Sequence, residues 1–278
     1  MLWNVSERAE TSAGTVAWGR AGEGPPLVLA HGWPWSSYSW HCLVLPLSRA
    51  YTVYWYDMPG FGRSDKNPEQ ATGLDVQGQV FREMLEFWQI DEPTVFAHDF
   101  GGAVTLRAHL LHDVAYHELI LMNVVALSPW GSDFFDHVGR HVDAFTPLPP
   151  HIHAAIVGAY IKGALVSDID AHDLRELVSP WLTPEGHVSF YRQFAQADDR
   201  FTDEFADRLG RIDCPVAVLW GEQDPWIPIK RGHVLAGKIG VGLHPIPGVG
   251  HMPQLEAPRA VLDALNAIPG ALPGLKGN

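Results

Sequence analysis

The stretch Thr94-Val-Phe-Ala-His-Asp-Phe-Gly-Gly-Ala103 decides the fold of this chain. Its first residues, Thr94–Ala97, are short and apolar, which is typical of a strand buried on both faces of a parallel sheet. A helix follows from Gly101, so the chain must turn sharply at Asp99. The small residues around this turn permit the strained backbone of a nucleophile elbow, whose tip residue presents its side chain. An aspartate that caps the following helix fits the same residues.

Strand-like segments similar to Thr94–Ala97 alternate with helical stretches along the chain. From about Ser128 to Arg211 this alternation stops, and the sequence is helix-like, aromatic and interrupted by prolines. The pattern predicts an α/β fold with a mostly parallel central sheet, flanking helices and an inserted helical cap. Residues 1–127 and 212–278 would form the core, and residues 128–211 the cap. The other predicted strands are Thr15–Gly19, Leu27–Ala30, Thr52–Tyr56, Leu119–Val124, Val216–Trp220 and a weaker Gly242–Ile246.

Composition narrows the class of protein. The chain has 278 residues, 46% of them hydrophobic, and 19 Lys and Arg against 32 Asp and Glu give a formal net charge of −13. We expect no nucleic-acid partner and no anionic membrane surface, since no basic stripe is present to neutralise phosphates. Cys42 and Cys214 are too few for a disulfide framework. Without a signal-peptide pattern at Met1–Arg8 or a long apolar run, we expect a cytoplasmic protein.

Polar residues also follow other predicted strands. His31-Gly-Trp-Pro34 comes directly after an apolar strand, where a loop can contribute a backbone N–H to an oxyanion hole. Late in the chain, Gly221-Glu-Gln-Asp224 places carboxylates past a strand end, and a glycine turn then leads into His251. The order aspartate, acid, histidine matches one known arrangement of a catalytic triad. Both Glu222 and Asp224 are candidates for the acid.

Taken in this order, the motifs resemble those of the α/β-hydrolase fold, over nearly all of the chain except the cap and the tail. The aspartate at the elbow is similar to the epoxide hydrolase and haloalkane dehalogenase branch. This resemblance implies Asp99 as nucleophile and His251 as general base. It implies Asp224, the commoner position, as the acid that orients the histidine. The backbone N–H groups of Trp33 and Phe100 would form the oxyanion hole.

An aspartate nucleophile selects a class of reaction. A carboxylate is ionised near neutral pH and attacks without losing a proton. Attack on a saturated carbon gives an alkyl ester of Asp99 and expels an epoxide oxygen or a halide, and His251 then activates the water that hydrolyses the ester. We therefore expect a hydrolase that converts a hydrophobic epoxide to a diol. The alternatives are a haloalkane dehalogenase and a non-catalytic ligand-binding module on a hydrolase fold.

The choice between epoxide and halide depends on the loop and the cap. Epoxide hydrolases typically protonate the leaving oxygen with a pair of cap tyrosines, and Ser189-Phe-Tyr-Arg-Gln193 resembles the segment that carries one of them. The resemblance thus implies Tyr191 as the acid, with Tyr160 as the second tyrosine or as a packing residue. Phe100 stands where both branches usually have Trp. Trp33 stands where dehalogenases have an Asn or Glu that binds the halide.

Aromatic residues of the loops and the cap are candidates for a substrate pocket. We expect His31, Trp35 and Trp130 to contact a small hydrophobic substrate, although such tryptophans also fasten a cap to a core. An acid substrate, such as one of the fluoroacetate type, is disfavoured, and the net charge of −13 gives it no electrostatic help. The resemblance would place arginines beside the nucleophile for such a substrate, and this chain has Phe100 and Ala103 there.

We expect no metal and no cofactor. His137 and His141 have the i, i+4 spacing of helical metal ligands, but no His-Glu-x-x-His pattern accompanies them. The Gly-x-Gly-x-x-Gly of dinucleotide sites is missing from the sequence. Besides substrate and water, the only expected partner is a second copy of the chain, since both a monomer and a homodimer fit the sequence.

Overall fold

The computed structural model of the protein describes residues 3–277, with side chains as far as Leu275. Within this range one sheet of eight strands crosses the molecule. Its strands are β1 (Glu7–Thr11), β2 (Gly14–Ala21), β3 (Pro26–Ala30), β4 (Thr52–Tyr56), β5 (Thr94–Asp99), β6 (Glu118–Val124), β7 (Val216–Gly221) and β8 (Leu243–Ile246). Their order is β1-β2-β4-β3-β5-β6-β7-β8. From β4 to β8 all neighbours are parallel, which confirms the predicted mostly parallel sheet.

Helices cover both faces of the sheet. The core helices are α1 (His41–Leu47), α2 (Leu74–Trp88), α3 (Phe100–His112), α10 (Ile229–Ile239), α11 (Pro253–Glu256) and α12 (Pro258–Ala267). Apolar residues alternate along each strand, so that Val28 and Ala30 pack with α2, α3 and α10. Leu27 and Leu29 face the other way and pack with α1 and α12. The strands are therefore buried on both sides, as their continuous apolar sequences indicate.

Six further helices lie between β6 and β7. These inserted helices are α4 (Asp133–Arg140), α5 (Val142–Phe145), α6 (Pro150–Lys162), α7 (Ala171–Val178), α8 (Pro184–Gln196) and α9 (Arg200–Ala206). They contact the loops that follow the strands: Trp181 Nε1 donates to the Pro34 carbonyl oxygen at 2.8 Å, and Ser189 Oγ to that of Gly60 at 3.1 Å. The insertion occupies the stretch predicted as a cap. The division into core and cap remains our prediction.

Strand β1 is absent from the predicted set. Its sequence, Glu-Arg-Ala-Glu-Thr, carries three charged residues and buries only Ala9, so it lacks the apolar pattern of the other strands. It pairs antiparallel with β2 at the edge of the sheet. Charged side chains are common on edge strands, because they discourage pairing with other chains.

Candidate active site

Asp99 occupies the sharp turn between β5 and α3. Its backbone has φ 50° and ψ −122°, a conformation that is costly for a residue with a side chain. The turn can close because its glycines touch neighbouring strands: a Cβ on Gly101 would overlap the Ala30 carbonyl oxygen, and one on Gly102 would overlap the Val124 side chain. The Asp99 side chain makes no capping hydrogen bond to α3. The elbow, and not the helix cap, therefore accounts for this aspartate.

The loop after β3 surrounds one oxygen of the Asp99 carboxylate. The backbone N–H of Trp33 donates to Asp99 Oδ1 at 2.6 Å. A Cβ on Gly32 would overlap that same oxygen and would lie 2.6 Å from the Phe100 nitrogen. The absence of a side chain at Gly32 thus leaves the space that Oδ1 occupies beside the Trp33 amide.

His251 lies between two carboxylates. Its Nε2 is 3.4 Å from Asp99 Oδ2, and its Nδ1–H donates to Asp224 Oδ2 at 2.9 Å. Histidine and Asp224 are buried, whereas the side chain of Glu222 is exposed at the protein surface. The geometry therefore selects Asp224 over Glu222 as the acid beside the histidine.

Asp224 is held by three further donors. Asn123 Nδ2 donates to its Oδ2 at 2.7 Å, and the backbone N–H groups of Trp226 and Ile227 each donate to Oδ1 at 2.8 Å. Asn123 also accepts from the Gly221 N–H at 2.9 Å, so it joins the ends of β6 and β7. Sequence reasoning missed Asn123. Its place at the end of a predicted strand was the available signal.

The pKa values of this pair are shifted in opposite directions. Burial alone would lower the pKa of His251, but the charges of Asp224 and Asp99 outweigh burial and raise it to about 10. Burial would raise the pKa of Asp224, but His251 and the hydrogen bond from Asn123 outweigh it and hold it below its usual value. Both shifts favour a protonated His251 beside an ionised Asp224.

Two buried rings, those of His98 and Trp35, lie close to the His251 ring. His98 Nε2–H donates to the His251 carbonyl oxygen at 2.7 Å, and burial, followed by the charge of His251, lowers the pKa of His98 to about 3. Trp35 stacks on Trp226 with ring centroids 5.7 Å apart, and lies 6.4 Å from the His251 ring. Trp35 is 1% exposed and is not part of the cavity wall. The prediction that it contacts substrate is therefore wrong, because it packs behind the histidine.

A cavity of about 380 Å³ opens above Asp99. Six of its fifteen lining residues are aromatic, among them Trp33, Trp130 and Trp226. Tyr160 lies in the same wall, and its hydroxyl oxygen accepts from Trp33 Nε1 at 3.4 Å. Burial, opposed by that hydrogen bond and reinforced by the charge of Asp99, raises the pKa of Tyr160 well above its usual value. Tyr160 thus keeps its proton in the cavity that also holds Asp99.

Tyr191 lies outside this cavity. On α8, Phe190 and Phe194 pack against the Trp33 ring, with centroids 5.1 and 4.8 Å apart. Tyr191 is turned by about 100° from Phe190, so its hydroxyl meets His153 Nδ1 at 3.0 Å instead. The assignment of Tyr191 as the acid is therefore wrong.

His31 is also withdrawn from the cavity. It is fully buried, its Nε2 accepts from the Met58 N–H at 2.9 Å, and its Nδ1–H donates to the Gly32 carbonyl oxygen at 3.0 Å. These bonds fix the loop that carries Trp33. The prediction that His31 binds substrate is wrong, and its contribution is to the shape of the loop.

The sequence model of the alpha/beta hydrolase family matches residues 27–264. The chain belongs to this family. A solved alpha/beta hydrolase fold protein from Burkholderia ambifaria is 42% identical to this hydrolase, covers 95% of it and 98% of its own chain, and has a TM-score of 0.92. The predicted fold class is thereby confirmed.

Two curated relatives of this hydrolase carry more specific names. A haloalkane dehalogenase of Mycobacterium marinum is 27% identical over 217 residues, which is 73% of this chain and 70% of that protein. A soluble epoxide hydrolase of Corynebacterium sp. (strain C12) is 35% identical over 117 residues, which is 41% of this chain and 40% of that protein. The relatives share the hydrolase class but differ in the bond that their names specify.

Residues 3–277 contain neither a membrane-spanning helix nor a cluster of metal-ligating side chains. No helix in this range has the length and apolar character needed to cross a bilayer. No group of three or more His, Cys, Asp or Glu side chains in the same range is placed to hold a metal ion. That the protein works without metal or cofactor remains a prediction.

Proposed function

We propose that this hydrolase opens a hydrophobic epoxide to a diol, with Asp99 as the covalent nucleophile. The observation that carries the proposal is the Tyr160 hydroxyl, which lies in the wall of the Asp99 cavity and accepts a hydrogen bond from Trp33. An epoxide oxygen leaves as an alkoxide and needs a proton at that moment. A halide needs none. The similarity to a protein named soluble epoxide hydrolase supports the same choice.

In the first step, Asp99 Oδ2 attacks one epoxide carbon and the carbon–oxygen bond to that carbon breaks. Oδ1 is engaged by the Trp33 amide, so Oδ2, which faces His251, is the oxygen available for attack. Tyr160 gives its proton to the leaving oxygen, and the Trp33 indole N–H stabilises the phenolate that remains. Loss of the Asp99 charge in the ester removes part of what opposes this phenolate.

The second step uses the same change in charge. Ester formation removes one of the two carboxylates that raise the pKa of His251, so the imidazolium can release its proton to solvent. Neutral His251 then takes a proton from water, which attacks the Asp99 carbonyl carbon. The negative charge develops on Oδ1, which the Trp33 amide already contacts, and the Phe100 amide would be the second donor. As this intermediate collapses, the carbon–oxygen bond to the alcohol breaks, the alcohol oxygen takes the proton from His251, and the proton of the new carboxylic acid passes to His251, which releases the diol and restores Asp99. The phenolate regains its proton from solvent.

Dehalogenation is the second candidate function. Trp33 Nε1 and the Tyr160 hydroxyl are two donors on one side of the cavity, and together they can hold a halide as it leaves. Trp130 adds no further donor, because its Nε1 donates to Thr202 Oγ1 at 3.1 Å. The similarity to a named haloalkane dehalogenase favours this candidate.

A parallel screen separates the two functions. Purified protein is incubated with alkyl and aryl epoxides and, separately, with chloro- and bromoalkanes of matched size, and diol and halide are measured. We expect diol from at least one epoxide and no halide above the uncatalysed rate. Halide release without diol would replace the proposal with dehalogenation, and neither product would contradict both.

A further inference from the structure

Arg231 contributes a positive charge to the Asp99 cavity. It lies near the start of α10, is partly buried, and belongs to the same cavity wall as Asp99 and Tyr160. Of its guanidinium nitrogens, Nη2 donates to the carbonyl oxygen of Leu127. The rest of the guanidinium fork is available, since a guanidinium carries five N–H donors.

No carboxylate in the part of the chain that the structure describes lies within 4.0 Å of the Arg231 guanidinium. Another buried arginine shows the usual arrangement: Arg107 Nη1 is 2.6 Å from Glu204 Oε2. Leaving a partly desolvated cation without a counterion is unfavourable. An unpaired arginine is the more unexpected in a chain of net charge −13, in which carboxylates outnumber cations. The ligand is therefore the expected source of a counterion for Arg231.

We infer that Arg231 binds a carboxylate of the substrate, at a distance from the carbon that reacts. The inference rests on the proposed function, because the cavity is the one in which the epoxide would be opened. Positions 100 and 103, beside the candidate nucleophile, have no cation, whereas α10 supplies one from another wall. The rest of the wall includes Trp33, Trp130 and Trp226. The substrate class is thus an epoxide on an aromatic or other apolar body that ends in a carboxylate.

The planar fork of arginine suits this role. It binds carboxylates through two parallel hydrogen bonds, which fixes the orientation of the ligand as well as its charge. The bond to Leu127 restrains the guanidinium before substrate arrives. A carboxylate held there orients the molecule along the aromatic wall, with its far end free to reach Asp99.

The test compares two epoxides that differ only in charge, the glycidyl ethers of para-hydroxybenzoate and of para-hydroxybenzamide. We expect kcat/KM to favour the carboxylate roughly 10- to 100-fold in the unaltered protein. Arg231→Gln should bring this ratio close to unity, and Arg231→Lys should give an intermediate ratio. The control is Arg259→Gln on α12, an exposed position, which should leave the ratio unchanged. An equal loss of activity toward both epoxides in Arg231→Gln would mean that Arg231 only holds the Leu127 carbonyl group, and it would overturn the inference.

Calorimetry gives a readout that does not require turnover. The diols of the two glycidyl ethers are titrated into the unaltered protein and into Arg231→Gln. Tighter binding of the carboxylate diol, lost in the variant, supports the inference even if neither epoxide is opened and the proposed function fails. Equal affinities in the unaltered protein overturn the inference, and diol formation from the benzamide ether would then still support the proposed function.

Discussion

The backbone N–H of Trp33 donates a 2.6 Å hydrogen bond to Oδ1 of Asp99. One oxygen of the carboxylate is therefore fixed where an oxyanion would develop, and the other faces His251. This division suits an aspartate that forms an ester and then has its own carbonyl carbon attacked by water. A serine side chain has only one oxygen. With a serine, the nucleophilic oxygen would belong to the enzyme and the oxyanion to the substrate.

Tyr160→Phe should lower epoxide turnover by about 10² to 10⁴, the usual contribution of a general acid. The reason is that the leaving oxygen loses the only tyrosine hydroxyl that the described residues place in the cavity wall. Tyr191→Phe is the matched control, since its hydroxyl bonds to His153 outside the cavity, and it should change turnover little. The measurement is kcat for diol formation. A larger loss in Tyr191→Phe than in Tyr160→Phe would refute the role given to Tyr160.

His251→Gln should stop the reaction at the ester. Attack by Asp99 does not need the histidine, but activation of water does, so the alkyl-enzyme accumulates. Intact-protein mass spectrometry after mixing with epoxide should show the added mass of one substrate, and digestion should locate it on the peptide that contains Asp99. Turnover at the unaltered rate would exclude His251 from the mechanism.

Protein stability should fall as pH rises from 6.5 to 10. The pKa of His251 is raised from 6.5 to about 10, so the protonated form stabilises the folded protein. This contribution is complete below pH 6.5 and is lost as pH passes through about 10, with a size on the order of a few kcal/mol. Urea unfolding across this range measures it. In His251→Gln the same pH dependence should be weaker, and parallel profiles for the two proteins would contradict the assignment.

Gly102→Ala should destabilise the protein, whereas Gly237→Ala should not. A Cβ at Gly102 would overlap the Val124 side chain, so the elbow would have to move, at a cost of about 1–3 kcal/mol. At Gly237, on α10, a Cβ meets nothing within 4 Å, and alanine should stabilise the helix by about 0.5–1 kcal/mol. Thermal unfolding of both variants provides the comparison. A stable Gly102→Ala would show that the elbow does not need close approach to β6.

Much of the core could be predicted from the sequence, because each parallel strand is a short apolar run and each motif follows such a strand. Asp99, Asp224 and His251 each follow a predicted strand. This places them at one edge of the sheet, since parallel strands end there together. Asn123 was not predicted, because no motif in the sequence marks it. An asparagine at a strand end has no distinctive spacing, and its value depends on two strands that are far apart in sequence.

The inserted helices were harder to interpret. Which side of α8 packs against the Trp33 ring depends on how that helix is rotated, and a shift of one residue exchanges Phe190 for Tyr191. Trp35 and His31 belong to the loop after β3 that carries Trp33, but their side chains are buried and do not line the cavity. Arg231 lies on α10, a helix for which the sequence analysis makes no prediction, and no motif in the sequence connects it with Asp99.

The most direct test of the account is a single turnover in heavy-oxygen water, with protein in excess over epoxide. If water attacks the Asp99 carbonyl carbon, the label enters the carboxylate, and mass spectrometry finds it in the peptide that contains Asp99. The peptide that contains Asp224 serves as control and should stay unlabelled. Label in the diol with an unlabelled Asp99 peptide would mean that water attacks the epoxide itself, and the covalent mechanism would be contradicted.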